Sequence, residues 1–420
     1  MKSLGHILKT YWKQFLSVIS NELHAIFTDA GVLLVVVLAI FIYTTIYSCA
    51  YGTQVLRNVP LGVVDMCKTP ESRALVAAID SGPNTVVAYE PTSMAEAEEM
   101  FFAREIYGVV YIPSDYSKNI YAGMQANVSL YLDGSYLLMY RQAFQELVAG
   151  IGTTGAMVEV QRLMAKGTNA QLTKSTVQPV IYQTHNLFNP YLGYGSFVMP
   201  AIIMVIIQQT LLIGIGMIGG TWREQGLYDK LRPAGERRMA TLPIVMGKAV
   251  TYLMVYALTL TVILNVLYRV FGFPINGRTI DLVAFLLPYL LSCIFMSIAV
   301  STLFRHRESS LLLLLWTSIP VLLLSGGASY PREAIPDWLY MLGQILPSSS
   351  GVEGFIHIRT MGASLGEVMP QVKLLWILTI VYGGLACIGI HAVTTGDLNE
   401  RIRARVKSRM ASLKVRIEGR

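Results

Sequence analysis

The chain has 420 residues, 53% of them hydrophobic and only 14% charged. Soluble domains carry about 25% charged residues, so the composition excludes a water-soluble globular protein and points to a membrane protein. The formal net charge is +7. Eight basic residues crowd the tail between Arg401 and Arg420, directly after an apolar segment. Such a tail marks the cytoplasmic side of a membrane rather than a nucleic-acid partner.

The leader, 1–30, places Leu4, Ile7, Leu8, Tyr11, Phe15, Val18 and Ile19 at helical spacing. This predicts a cytoplasmic amphipathic helix, lying on the membrane surface or packed on a partner. A first span follows over 31–50, uncharged and with Tyr43, Tyr47 and Tyr51 near its outer end. It starts too late, and lacks the small-residue cleavage site, for a signal peptide, so an uncleaved anchor is expected.

Residues 51–195 have the length of one domain. Strand signals at 61–66, 85–90, 107–112 and 127–132 alternate with helix signals. Thr69-Pro70 opens one helix, and Ser93 with Glu96 forms a capping box for another. A long helical stretch from Ser135 to about Lys166 carries Gly150, Gly152 and Gly155, which predict a break. The pattern is that of an extracytoplasmic α/β domain, for binding or docking, or as a spacer.

Five further spans are expected within 196–395: 196–220, 249–268, 281–303, a short one at 310–325, and 374–393. The fold class is therefore a polytopic α-helical membrane protein with six transmembrane helices and an inserted α/β extracytoplasmic domain. The inner loop, 221–248, carries six Lys/Arg beside Glu224, Asp229 and Glu236. It reads either as a solvated loop or as a helix that docks on a soluble partner. An outer re-entrant segment is expected at 326–371, where Pro331, Pro336 and Pro347 bracket an amphipathic piece over 337–346 that is too short to span. The 396–420 tail is cytoplasmic. With both termini inside, 19 of the 33 Lys/Arg fall on short inner segments, as the positive-inside rule requires.

Signs of chemistry are few. Gly214, Gly216 and Gly219 match G-x-G-x-x-G but lie within a span, where small residues serve close helix packing rather than a dinucleotide. Gly247-Lys248 runs into Ala249 and lacks the upstream glycine of a phosphate loop. The four cysteines have no metal spacing, and the six histidines are scattered, so no catalytic, metal or cofactor site is expected. The spans hold Gln208, Gln209 and Asn265 but almost no ionisable group, which disfavours a self-powered carrier.

The chain resembles the type-2 ABC transporter permeases, in particular bacterial exporter permeases with a large domain after the first span. Carrying the resemblance are Thr28-Asp29, Gly62-Val-Val-Asp65, Gly108-Val-Val-Tyr-Ile-Pro113, Leu187-Phe-Asn-Pro190 leading to Pro200, and Arg223-Glu224-Gln-Gly226. Ser325-Gly326-Gly, Tyr330-Pro331 and Ile335-Pro336-Asp-Trp338 complete it. At the inner loop Trp222 stands where the family has a first Glu, and Leu227 where it has Thr. The resemblance implies a multi-pass inner-membrane permease with no cofactor of its own, ATP being bound by separate cytoplasmic ABC ATPase subunits. It also implies a second permease copy or a sibling permease, a periplasmic adaptor, and outward movement of an amphiphilic, drug-like or lipid-like substrate. Arg223, Glu224 and Gly226 would then couple to the ATPase, and Ser325, Gly326, Pro331, Pro336 and Trp338 would form an outer gate. The competing reading is a non-transporting membrane scaffold or sensor whose outer domain binds a ligand.

Overall fold

The computed structural model describes residues 4–180, 184–228, 241–312 and 330–395. The chain divides into two compact units, Val55–His185 and the segments on either side of it.

The unit Val55–His185 is built on four strands, β1 (Val59–Asp65), β2 (Thr85–Tyr89), β3 (Gly108–Ile112) and β4 (Ser129–Leu132), in the order β2-β1-β3-β4. β1 runs parallel to β2 and β3, and β4 runs antiparallel to β3. Leu61, Val63, Val110 and Ile112 point to one face, against Leu75 and Ile79 of a helix at Pro70–Asp80 and Ala143 and Leu147 of a helix at Leu137–Ala165. Val64 and Val109 point to the other face, with Ala97 of a helix at Met94–Phe102. This period-two alternation explains why helices cover both faces. Asp65 ends β1 and accepts from the amides of Cys67 and Lys68 (2.9 and 3.0 Å) and from Ser72 Oγ (2.6 Å), fixing the turn into the next helix. Gly108 lies where a Cβ would meet Leu132 and Leu61. The break expected near Gly150–Gly155 is absent. The helix runs unbroken because Ala143, Leu147 and Ile151 anchor one face, even though Thr153 and Thr154 bond back to carbonyls four residues earlier, an arrangement that tends to bend a helix.

The other unit is helical: α1 (Leu4–Thr28), α2 (Ala30–Ala50), α3 (Tyr194–Glu224), α4 (Thr241–Val270), α5 (Thr279–Ser301), α6 (Asp337–Gly343), α7 (Pro347–Phe355) and α8 (Met369–Thr395). Among the described residues, five helices (α2, α3, α4, α5 and α8) are long and apolar enough to cross a membrane. The expected short span at 310–325 lies almost wholly outside the described residues, as do 229–240 and the basic tail. α3 is buried along most of its length, with α2, α5 and α7 packed on it. Its glycines permit this approach: Gly214 sits against Val36 of α2, and Gly219 against Ser301 of α5. On α4 and α8, Leu258, Val262, Ile377 and Ile380 are exposed, which suits lipid rather than water.

Three boundaries differ from the sequence reading. α3 continues through Glu224, and α4 already contains Lys248, so the connection is shorter than 221–248. Helix continues there because Trp222 is buried and the charges of Arg223 and Lys248 find partners. α3 begins at Tyr194, where Asn189 accepts from the Gly193 amide (3.0 Å) and donates to its carbonyl (2.9 Å). The third difference is α7, which the sequence reading did not separate from its surroundings. Its Ser348, Ser349, Gly351, Val352 and Phe355 are buried, and a wider turn at Ile356–Thr360 continues it.

Candidate functional site

The functional residues expected from sequence lie at two ends of the helical unit. At the end that carries α1, the backbone chemistry of helix termini sets the positions. α3 stops at Gly226, whose φ of +65° is the left-handed conformation that commonly follows a helix C-terminus. Nothing lies within 4 Å of where its Cβ would be, so backbone conformation alone demands glycine. One residue-turn earlier, Arg223 Nη1 donates to the carbonyl oxygens of Thr302 (2.6 Å) and Phe304 (3.1 Å). It thereby satisfies carbonyls left open where α5 ends. Glu224 is half-exposed, with Oε1 3.8 Å from His306 Nδ1. The structure therefore brings Arg223 and Glu224 together on the segment that follows α5, while Gly226 ends their helix.

Two further ties converge here that sequence reasoning missed. Glu22 of α1 and Lys248 of α4 form an ion pair that is almost fully buried. Tyr252 Oη donates to Glu22 Oε2 (2.9 Å), and Lys248 Nζ lies 4.8 Å from the Trp222 ring centre. A buried ion pair persists only when both partners are further satisfied, and Tyr252 and Trp222 do this. The signal was present in the sequence: on α1 the buried face is Gln14, Val18, Glu22 and Ile26, spaced by four, so an acid sits in an otherwise inward stripe. Tyr11, Trp12, Leu16 and Phe27 point outward instead.

Asp29 makes the second tie. Its Oδ1 caps α2 by accepting from the amides of Gly31 (3.0 Å) and Val32 (3.1 Å). The same carboxylate is held by both Nη atoms of Arg307, with Nη2–Oδ1 at 2.7 Å. Donation from Arg307 is the main cause that keeps this carboxyl below the usual carboxylate range. Between these ties lies a cavity of about 630 Å³, lined by Asn21, His24, Asp29, Thr221, Trp222 and Gln225.

At the other end, Pro331 precedes a single turn at Arg332–Ala334, and Pro336 precedes α6. Trp338 is 69% exposed and packs into no core. Ser325 and Gly326 lie outside the described residues. What organises this end is Glu353 on α7, which pairs with Arg332 Nη1 (3.2 Å), while the Arg332 guanidinium stacks 4.3 Å over the Tyr340 ring. α7 is seated by neutral groups: the Ser348 amide donates to Gln208 Oε1 (2.8 Å), and Gly351 and Gly354 leave room for the rings of Tyr289 and Phe285. Gln208 thus bonds between helices, while Asn265 Nδ2 bonds within its own helix, to the Thr261 carbonyl (2.8 Å).

No group of three or more His, Cys, Asp or Glu that could hold a metal occurs among the described residues. The four cysteines are free.

The family model for "ABC-2 family transporter protein" matches residues 30–388. Among similar proteins, "Probable multidrug ABC transporter permease YbhR" of Escherichia coli K12 is 26% identical over 278 residues, covering 66% of this chain and 71% of its own. "Inner membrane transport permease YhhJ" of the same organism is 24% identical over 373 residues, covering 84% of this chain and 90% of its own. "ABC transporter G family member 20" of Dictyostelium discoideum is 22% identical over 408 residues, covering 96% of this chain but 52% of its own length.

Proposed function

Since the chain belongs to the ABC-2 family of transporter proteins and is a multi-pass membrane permease of an ABC transporter, we propose that it works as the export pathway of an ATP-driven pump. In this reading it moves an amphiphilic, drug-like or lipid-like substrate outward across the inner membrane. The multidrug and inner-membrane wording carried by the relatives supports that class. Both termini face the cytoplasm, which the density of Lys/Arg on short segments favours. ABC ATPase subunits bind the cytoplasmic face, a second permease copy or a sibling completes the pathway, and a periplasmic adaptor extends it.

The observation that carries the proposal is the set of charged ties at the end bearing α1. An ATPase that pushes on α1 or on the Arg223–Gly226 segment acts on a connected body. Through Glu22–Lys248 the push reaches α4, through Asp29–Arg307 it reaches α2 and the segment after α5, and through Arg223 it reaches the end of α5. Glu224 is the exposed carboxylate of this group and the natural contact for a basic or amide group of the partner. The Pro331–Trp338 segment and α6 lie at the opposite end and form the outer gate. The coupling is tested by Glu224→Ala in vesicles holding the permease and its ATPase. Substrate-stimulated ATP hydrolysis and export should both fall, while unstimulated hydrolysis persists. Intact stimulation and export in this variant rules out Glu224 as the coupling residue. Ligand binding to the outer domain without any vectorial movement would favour a sensor instead.

A further inference from the structure

α4 and α5 leave between them a cleft of about 400 Å³ that is open towards the lipid-facing side, where Asn265, Val283 and Leu287 are exposed. Its walls are apolar, formed chiefly by Leu253, Leu260, Leu264, Leu282, Leu286 and Leu290. On α4 the lining runs from Leu253 to Asn265, which at the helical rise is roughly 18 Å. That length is close to one leaflet of a hydrocarbon core about 30 Å thick.

Arg359 also lines this cleft, from the turn that continues α7. It is only 5% exposed. Its Nη2 donates to the Leu264 carbonyl (2.8 Å), and the guanidinium lies 5.0 Å from the Tyr268 ring centre. Its Nε is buried without an acceptor. No carboxylate among the described residues is within ion-pair distance, and the charged neighbour that acts on it is another cation, Arg269. Arg278 precedes α5, and Asp281 lies in its first turn. A buried guanidinium with spare donors and no counter-ion is costly, and an anion seated beside it removes that cost.

We propose that this cleft is a binding site for an anionic phospholipid of the surrounding bilayer, its acyl chain along the leucine walls and its phosphate on Arg359. Guanidinium groups bind phosphate oxygens through paired N–H donors, and the chain length matches the cleft. The inference rests on the chain spanning a bilayer and not on export, so it stands or fails independently of the transport reading. The lipid is a resident ligand on the flank of α4 and α5.

The test uses the full chain in nanodiscs of phosphatidylcholine mixed with phosphatidylglycerol, with retained lipid counted by native mass spectrometry. Both lipids offer a phosphate, but the choline ammonium of phosphatidylcholine is repelled by Arg359 and its neighbour Arg269, so the wild type should retain phosphatidylglycerol over phosphatidylcholine by about tenfold. Arg359→Gln should bring the two lipids to parity, and Arg359→Lys should keep part of the preference. Ala257→Trp fills the cleft wall while leaving the guanidinium in place, and should also abolish the preference. Wild-type preference persisting in either Arg359→Gln or Ala257→Trp overturns the site, as does equal retention of the two lipids by the wild type. Should Arg359→Gln fail to fold, Ala257→Trp decides the matter alone.

Discussion

The two ends of the helical unit are held by different physics. The end bearing α1 is tied by charges: Glu22 to Lys248, Asp29 to Arg307, and Arg223 to open carbonyls. At the end bearing α7 the Arg332–Glu353 pair lies at the partly exposed rim, and the interior is seated by close approach, with glycines against aromatic rings and neutral hydrogen bonds from the Ser348 amide to Gln208 and from Tyr289 to the Met204 carbonyl. Charged ties between separate helices are long-armed and directional, so they transmit displacement and can be exchanged. Small-residue packing tolerates no added volume and no sliding. The proposed drive by an ATPase from one side fits this division, with charged ties at the end it would push on and close packing at the other.

The largest expected effect breaks the charged end at its most buried point. Lys248→Ala leaves Glu22 uncompensated, and removal of one partner of a buried pair costs about 3–5 kcal/mol. Thermal unfolding in detergent should show the loss, and the double variant Glu22→Gln/Lys248→Met should recover most of it. At the packed end, Gly351→Leu forces side-chain atoms into the buried Tyr289 ring, and overpacking of this kind costs about 1–3 kcal/mol. Here no second charge change can rescue the loss, whereas Tyr289→Ala should partly relieve it; an unchanged melting temperature for Gly351→Leu would show that the seating is loose. Asp29→Asn, at the partly exposed tie, should cost only about 1 kcal/mol of stability yet reduce substrate-stimulated hydrolysis, and the swap Asp29→Arg/Arg307→Asp should restore part of that stimulation.

The smallest effect is in pH. The Asp29 carboxyl titrates below its ordinary value because Arg307 donates to it, so the tie favours the ionised form. Its contribution is complete above the unfolded-state value of about 3.9 and is lost as pH falls through the depressed folded value. The difference in melting temperature between wild type and Asp29→Asn should therefore be constant from about pH 8 to about pH 5 and shrink only below about pH 4. A difference that shrinks near neutrality would show that Arg307 is not the partner.

Much of this architecture is legible in sequence because its causes are local. The spans at 31–50 and 196–220 follow from apolar length, and the start of the Pro70–Asp80 helix from Thr69, whose Oγ1 accepts from the Ser72 amide at 3.3 Å. Helix ends were harder. Arg223 and Lys248 read as loop residues because charge ordinarily stops a span, but Arg223 finds the Thr302 carbonyl 79 positions on and Lys248 finds Glu22, 226 positions away. Period and spacing carry no information about such distant pairing. α7 was missed for a related reason: Ser348, Ser349, Ser350 and Gly351 look like a turn, and only the rings of Tyr289 and Phe285 make small residues the right choice there. Gly226 is legible as part of a motif, and in the structure its left-handed backbone follows the end of α3.

The measurement that bears most directly on the account is uphill substrate movement into inside-out vesicles, with and without the ABC ATPase and ATP. Vesicles holding this chain alone should show no accumulation under any ion or pH gradient, and addition of the ATPase with ATP should start it. Accumulation driven by this chain with no ATPase present would contradict the account.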